Sequence, residues 1–338
     1  MSARHVIYAT TGWGIHDRRW VEALEACGFV VQVFNANEDL REMIDQFEPS
    51  AAPVLAGPLT TVTRSLVGLR RPIFGLSWGY DLQQDHSQAV AADELTWISA
   101  LSGLVVDSPA TRDIAIGLGL ASERIVLIPW GVDLELFAPE GPAVSATDLG
   151  FPPVSKVVLS LRTHDHLYRT TDVIEAFDRA ARSDSSLVLV MGGDGPLTQA
   201  HRARVEELGL NDRVRFIGRI DEAELPALLR GADFYVTASE TDGTSVTLLQ
   251  AMACGTPVIA SRNAGNASWI IDQRTGLTFA VGDVHALAFL LAAGGRSSQS
   301  ADITRRAREL VIAEADWSVN RRQLREVLNA PPTGWGRR

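Results

Sequence analysis

The stretch Ala232–Ser261, ADFYVTASETDGTSVTLLQAMACGTPVIAS, leaves little choice of local structure. Asp233–Ala238 is a short apolar run with Phe, Tyr and Val. Thr256–Ala260 is a second, entered through Gly255, which suits the position just past a helix end. Between them, apolar residues at 246, 249, 252 and 253 repeat at helical spacing, and Thr244 or Ser245 is a suitable N-cap. Strand, polar turn, helix and strand in thirty residues make one βαβ unit.

In such a unit the turn Glu240–Ser245 is a place for an anion. The free N–H groups of the first helical turn and the positive end of the helix dipole face out of the sheet's carboxyl edge. Asp242 stands just before the helix and Gln250 lies further along it, and both can hydrogen-bond hydroxyls. Taken singly, each also has a plain structural reading, Asp242 as a cap and Gln250 as a solvated amide.

The same alternation runs along the whole chain. His5–Thr11 is a strand, Gly12-Trp13-Gly14-Ile15-His16 a glycine turn, and an amphipathic helix follows to about Cys27. Strands are expected at Phe29–Phe34, Ala52–Ala56, Pro72–Ser77, Gly103–Val106 and Ile125–Pro129, and helices at Asn37–Phe47, Thr60–Leu69, Val90–Ala100 and from Ser108. Glu140–Pro153, rich in Pro, Gly, Ala and Ser, reads as a linker. Beyond it come strands at Lys156–Leu161, Ser186–Met191 and Val214–Ile217. Helices are expected at Asp172–Arg182, Gln199–Leu208, Glu222–Arg230, Val284–Ala293 and from about Asp302, with a Ser-rich break at Ser297–Ser300 and a frayed end at Thr333–Arg338. A βαβα succession implies mainly parallel α/β sheets, and 338 residues that are 46% apolar suffice for two cores.

A formal charge of −10 argues against nucleic acid or an anionic membrane as a partner. Lys156 is the single lysine, so any phosphate clamp must be built from arginine. No apolar run approaches the roughly 20 residues of a membrane span, and MSARHVIYATTGWG lacks a signal-peptide layout, so a cytoplasmic protein is expected. Cys27 and Cys254 suggest neither disulfide nor zinc site. His164 and His166, two residues apart with no third ligand in view, read as polar loop residues, and no metal is expected.

The run Asp242-Gly-Thr-Ser-Val-Thr-Leu-Leu-Gln250-Ala-Met-Ala-Cys-Gly-Thr-Pro-Val-Ile resembles the signature of the family 4 retaining glycosyltransferases. Their acid-x7-Glu-Ala-Met-Ala-x-Gly-x-Pro-Val run closes the nucleotide-sugar site. A second run, Ile-Pro-Trp-Gly-Val-Asp-Leu-Glu-Leu-Phe-Ala-Pro at 128–139, resembles the family's Ile-Pro-Asn-Gly-Val-Asp-x-x-x-Phe-x-Pro, and Gly193-Asp194-Gly195-Pro196 resembles its Gly-Asp-Gly-Pro loop. The resemblance implies GT-B architecture, two Rossmann-like domains with mainly parallel sheets facing a central cleft. It divides the chain into an acceptor-side domain at 1–145, a nucleotide-sugar domain at 146–315 and a helix at 316–338 crossing back.

Carried over residue by residue, the resemblance gives Asp242 the sugar hydroxyls, Gly243, Thr244, Ser245 and Val246 the diphosphate, and Gln250 the ribose. Arg162 and Arg169 replace the family's Arg and Lys as catalytic diphosphate clamp. Gly12 and Gly14 face the donor, Gly193 and Gly195 form a donor loop, and the backbone at Ile220 meets the base. His16, Trp78 and Asp81 contact acceptor or sugar, with Trp78 where many relatives carry His. The implied activity is retaining, metal-independent transfer from a nucleoside diphosphate sugar, UDP or GDP type, to a hydroxyl of a small soluble acceptor in natural-product or glycoconjugate biosynthesis. No cofactor beyond the donor substrate is implied. Gln250 for Glu, Trp78 for His, Ser268 for Glu and the missing Lys leave a non-catalytic homologue that binds a nucleotide or a partner enzyme as the alternative.

Overall fold

The computed structural model describes residues 4–37, 39–83, 97–293 and 298–329. Residues 90–96 of the helix expected at Val90–Ala100, Ser297 of the Ser-rich break and the Thr333–Arg338 end lie outside them. The chain forms two compact units, one comprising the chain to Trp130 together with the segment from Ser318, the other Gly131–Trp317. Among the described residues no helix is long and apolar enough to cross a membrane.

The first unit is built on β1 (Arg4–Thr10), β2 (Phe29–Asn35), β3 (Val54–Ala56), β4 (Ile73–Leu76), β5 (Gly103–Val106) and β6 (Ile125–Leu127). All pairings are parallel, in the order β2-β1-β3-β4-β5-β6. Helices α1 (Ile15–Ala26), α2 (Leu40–Gln46), α3 (Arg64–Leu66), α4 (Tyr80–Gln83) and α5 (Pro109–Gly117) punctuate them. Helix α5 starts as its sequence predicts, with the Ser108 hydroxyl accepting from Thr111 N–H and Pro109 at the first helical position. The helix expected at Thr60–Leu69 is instead a π-helical turn, Leu59–Thr63, running into the short α3. The Thr63 hydroxyl leaves the helix pattern to donate to the Ala56 carbonyl.

The second unit repeats the plan with β7 (Lys156–Leu161), β8 (Leu187–Gly192), β9 (Val214–Gly218), β10 (Phe234–Thr237), β11 (Val258–Ser261) and β12 (Leu277–Phe279) in the order β12-β11-β10-β7-β8-β9. Its helices are α6 (Thr170–Ser183), α7 (Thr198–Glu207), α8 (Leu225–Gly231), α9 (Val246–Ala253), α10 (Ala264–Ala267), α11 (Val284–Ala293) and α12 (Ser298–Glu314); α13 (Trp317–Asn320) and α14 (Gln323–Asn329) lead into the first unit. Successive residues of β7 and β8 enter opposite cores. Val157, Leu159, Val188 and Val190 pack on one face, Val158, Leu187, Leu189 and Met191 on the other. Both faces are therefore covered, which is why these strands read as unbroken apolar runs. Burying each such side chain contributes about 1.5–3 kcal/mol.

The stretch 232–261 folds as its spacing predicts, as β10, α9 and β11. Helix α9 ends in a Schellman motif, with Gly255 at φ +73°, Gly255 N–H bonded to the Met252 carbonyl and Thr256 N–H to that of Ala251. The expected linker does not behave as one. Val144 N–H bonds the Ala227 carbonyl, Ala146 and Phe151 are buried in the second core, and Arg230 holds the Ala138 and Pro142 carbonyls. Its Pro and Gly serve packed turns. Val132 also bridges to Asp316, so residues 131–145 group with the second unit.

Strand β12 and helix α10 were not foreseen. Both are too short for a period to show, and β12 sits at a sheet edge.

Candidate functional site

In the second sheet β7, β8 and β9 run outward one way from the middle while β10, β11 and β12 run the other, so the strand order reverses between β7 and β10. The crevice beyond the carboxyl ends at such a reversal is where open α/β sheets take ligands. The chain places Arg162 directly after β7, and the polar turn 239–245 directly after β10.

These segments meet there. Arg162 Nη2 donates to Asp242 Oδ2 at 2.5 Å and Nη1 to Ser245 Oγ at 2.7 Å, while the guanidinium lies over the Tyr168 ring, 4.2 Å from its centre. Burial disfavours the Arg162 charge, and Asp242 together with Tyr235 and Tyr168 more than restores it, so the net shift is upward. Ser245 is the N-cap of α9, but its hydroxyl is turned to Arg162 and makes no cap hydrogen bond. The first-turn N–H groups, which no helical carbonyl can take, thus start beside the guanidinium.

Arg169 is the N-cap of α6 in the left-handed region, φ +46°, which a side chain rarely adopts. Its Nε donates to Asp172 Oδ2 at 2.7 Å, and Nη1 lies 3.6 Å from Glu240 Oε2. The Asp172 hydrogen bond raises the Arg169 pKa more than partial burial lowers it. Glu240 N–H also bonds the Leu167 carbonyl, tying the two turns together.

Three glycines permit this closeness. A Cβ at Gly193 would strike the Arg162 carbonyl, one at Gly195 the His164 backbone, and one at Gly265 the carbonyls of Asp242 and Gly243. The Gly192-Gly193-Asp194-Gly195-Pro196 turn therefore supports the Arg162 loop from one side, and Gly265 supports the Asp242 loop from the other. Ile220, beyond β9, packs beside Leu161 against Gly192.

Behind the Asp242 turn is a polar layer the sequence did not reveal. Asn263 Nδ2 and Ser261 Oγ donate to the Ser239 carbonyl, Asn266 Nδ2 donates to the Ser261 carbonyl, and Asn266 N–H bonds Asn263 Oδ1. The segment Asn263-Ala-Gly-Asn266 carries the signal: an Asn N-cap with a second Asn three residues on. Ser268, at the family's glutamate position, is exposed. Gln250 is 6% exposed on an otherwise apolar stretch of α9, and no hydrogen bond joins its amide to any described residue.

The first sheet reverses between β1 and β3, and its edge differs. Gly14 N-caps α1, and its N–H bonds Asp17 Oδ2 at 2.8 Å. Asp17 Oδ1 accepts from Tyr8 at 3.0 Å and Thr10 Oγ1 at 2.6 Å. Burial, reinforced by Asp17, raises the Tyr8 pKa. This brace presents Trp13, 52% exposed, between Gly12 and Gly14. The His16 ring lies 6.2 Å from Trp78 and 4.8 Å from Trp130, with Trp20 5.2 Å from Trp130 and Arg19 over its face. His16 and Trp78 are thus brought together.

Asp81 stands apart. It is 6% exposed and accepts from Ser77 Oγ, Leu59 N–H and Trp78 N–H, so its carboxylate braces the turn. Burial raises its pKa despite those hydrogen bonds. Arg162, Arg169, Asp242–Val246 and Gln250 belong to the second edge; Gly12, Gly14, His16, Trp78 and Asp81 belong to the first.

Residues 146–297 match the family model described as glycosyl transferases group 1. The chain is similar to an alpha-monoglucosyldiacylglycerol synthase of Streptococcus pneumoniae, 28% identical over 186 residues, 53% of this chain and 42% of the relative. It is also similar to a phosphatidyl-myo-inositol mannosyltransferase of Mycobacterium leprae, 33% identical over 223 residues, 62% of this chain and 54% of the relative. The chain spans about half the length of the curated relatives it matches. Among solved structures it is similar to Anabaena HepE in complex with UDP and glucose, with a TM-score of 0.80 at 17% identity over 96% of this chain and 99% of that one. At that identity the likeness speaks for the fold alone, which is GT-B.

Proposed function

From the premise that residues 146–297 belong to the glycosyl transferases group 1 family, we propose that this protein moves a sugar from a nucleoside diphosphate sugar to an acceptor hydroxyl. The observation that carries the reading is the second unit's edge. One guanidinium fork, one carboxylate and the start of α9 converge where the strand order reverses.

In this reading Arg162 and the first N–H groups of α9, from Val246 on, bind the diphosphate and stabilise the charge that develops on it as the glycosidic bond breaks. Arg169 adds a second fork. Asp242 orients the sugar hydroxyls, and Gln250, a buried amide with free hydrogen-bonding capacity, meets the ribose. These cations supply the role that a metal would otherwise take, so the reaction is metal-independent. Attack on the face that the diphosphate leaves, with that group taking the acceptor proton, gives retention. His16, Trp78 and the exposed Trp13 supply acceptor contacts, and the acceptor is a small soluble alcohol.

HepE was solved with UDP and glucose, which makes UDP-glucose the first donor to try. A thermal-shift panel of UDP, GDP, dTDP and ADP, alone and as sugar conjugates, tests the reading. A ligand at 100 times its Kd adds about 2.7 kcal/mol of stability. One base should stabilise the protein and Arg162→Ala should abolish the shift; no shift with any of them overturns the assignment. The Gln250 and Ser268 replacements favour one second reading, a nucleotide-binding homologue without turnover, for which the shift would occur but no sugar would be transferred.

A further inference from the structure

We propose that Asp242 is a gate that makes the site select the intact nucleotide sugar over the free nucleoside diphosphate, an inference that rests on the donor-site reading above. The two charged groups of the edge are already paired with each other. The side chains of Arg162 and Asp242 are only 10% and 15% exposed, and they meet at 2.5 Å. A second pair repeats the pattern between the same two turns, with Arg169 Nη1 and Glu240 Oε2 3.6 Å apart. A phosphate that takes the Arg162 fork must therefore displace a carboxylate.

The consequence depends on what the ligand brings. A free diphosphate captures Arg162 and leaves Asp242 charged, nearly buried and beside a new anion, an unfavourable arrangement. A sugar attached to the diphosphate presents hydroxyls that donate to the released carboxylate. The phosphate and sugar halves thus bind with positive coupling through one side chain. The gate also acts after transfer: the product diphosphate has lost those hydroxyls, Asp242 recaptures Arg162, and the product is expelled. The main chain need not move. The Asp242 and Gly243 carbonyls lie against Gly265, and Glu240 N–H is bonded to Leu167, so rotation of the Asp242 side chain is the switch.

The test is calorimetric titration of inorganic pyrophosphate, UDP and UDP-glucose into wild type, Asp242→Asn and Arg162→Ala. Pyrophosphate reads the gate whatever base the site prefers. Asp242→Asn keeps the shape and removes the charge; a cooperative melting transition and an unchanged circular dichroism spectrum verify its fold, with Asp242→Ser as the second variant. Coupling of the usual size predicts that Asp242→Asn binds pyrophosphate about tenfold more tightly, and UDP likewise, while UDP-glucose gains nothing. The inhibition constant of the product diphosphate should fall with it.

Unchanged or weaker pyrophosphate binding by Asp242→Asn overturns the gate, and leaves the donor-site reading in place provided Arg162→Ala removes the binding seen in wild type. Pyrophosphate binding that survives Arg162→Ala overturns both.

Discussion

The two sheets share one plan, six parallel strands with a reversal beside the first, and they use their carboxyl edges differently. At the second edge, charge faces where a ligand would lie: Arg162 and Asp242 stand at the mouths of β7 and β10, and a helix start lies next to them. At the first edge two carboxylates are consumed internally. Asp17 takes Tyr8, Thr10 and Gly14, and Asp81 takes Leu59, Ser77 and Trp78, beside the rings of His16, Trp78 and Trp130. The difference teaches that an acid at the end of a strand is not evidence of binding. What distinguishes Asp242 is that its partner is a cation from another turn. The partners of Asp81 are main-chain N–H groups and a hydroxyl of its own unit.

The sharpest way to break this contrast is Arg162→Ala. Loss of a preorganised charge contact of this kind lowers kcat by about 10²–10³-fold, to be read in a transfer assay with the donor that the panel identifies. A loss of less than tenfold would remove the distinction between the edges.

Asp17→Ala should act on stability instead. Removing three hydrogen bonds to a buried carboxylate costs about 3 kcal/mol, measurable as a shift in the urea midpoint, while the affinity for pyrophosphate stays within twofold.

Acid should separate the edges further, because buried groups of the two units respond with opposite sign. Burial, with the nearby His164 and His166, lowers the His201 pKa to about 4. Between about 6.5 and 4 the unfolded chain takes up a proton that folded His201 refuses, so its contribution is full above 6.5 and is lost as pH falls. Asp81, with its pKa raised, favours folding more as pH falls. The expected result is a fall in the second unit's melting temperature of about 3 °C between pH 7 and 5.5, and a flatter profile for His201→Gln, followed by scanning calorimetry.

The smallest effect is expected at Gln273, where φ is +58° in the turn Asp272–Gly276, a backbone conformation that glycine adopts without strain. Gln273→Gly should raise stability by about 0.5–1 kcal/mol in chemical denaturation with no change in transfer.

Much of this was legible in the residues. The parallel strands, the N-cap at Ser108, a helix start at Thr244 or Ser245, and the glycine turns at 192–196 and 255 follow from periods and backbone preferences that act within a few residues of chain. Where the reading departed from the structure, the local signal was ambiguous. Pro and Gly at 140–153 suit a free linker and a packed turn equally, and only burial of Ala146 and Phe151 distinguishes them. Asp81 carries no local mark that its oxygens are taken, since Leu59 comes 22 residues earlier.

The sequence by itself determined the α/β class, the two-unit layout and the residue types available for a phosphate, because alternation, capping and composition are properties of short windows. Tertiary structure alone decided which of those residues face one another. Arg162 and Asp242 are 80 residues apart in the chain, and they meet because β10 lies beside β7 rather than beyond β9. Strand order is set by packing both faces of the sheet at once, and no single window contains that information.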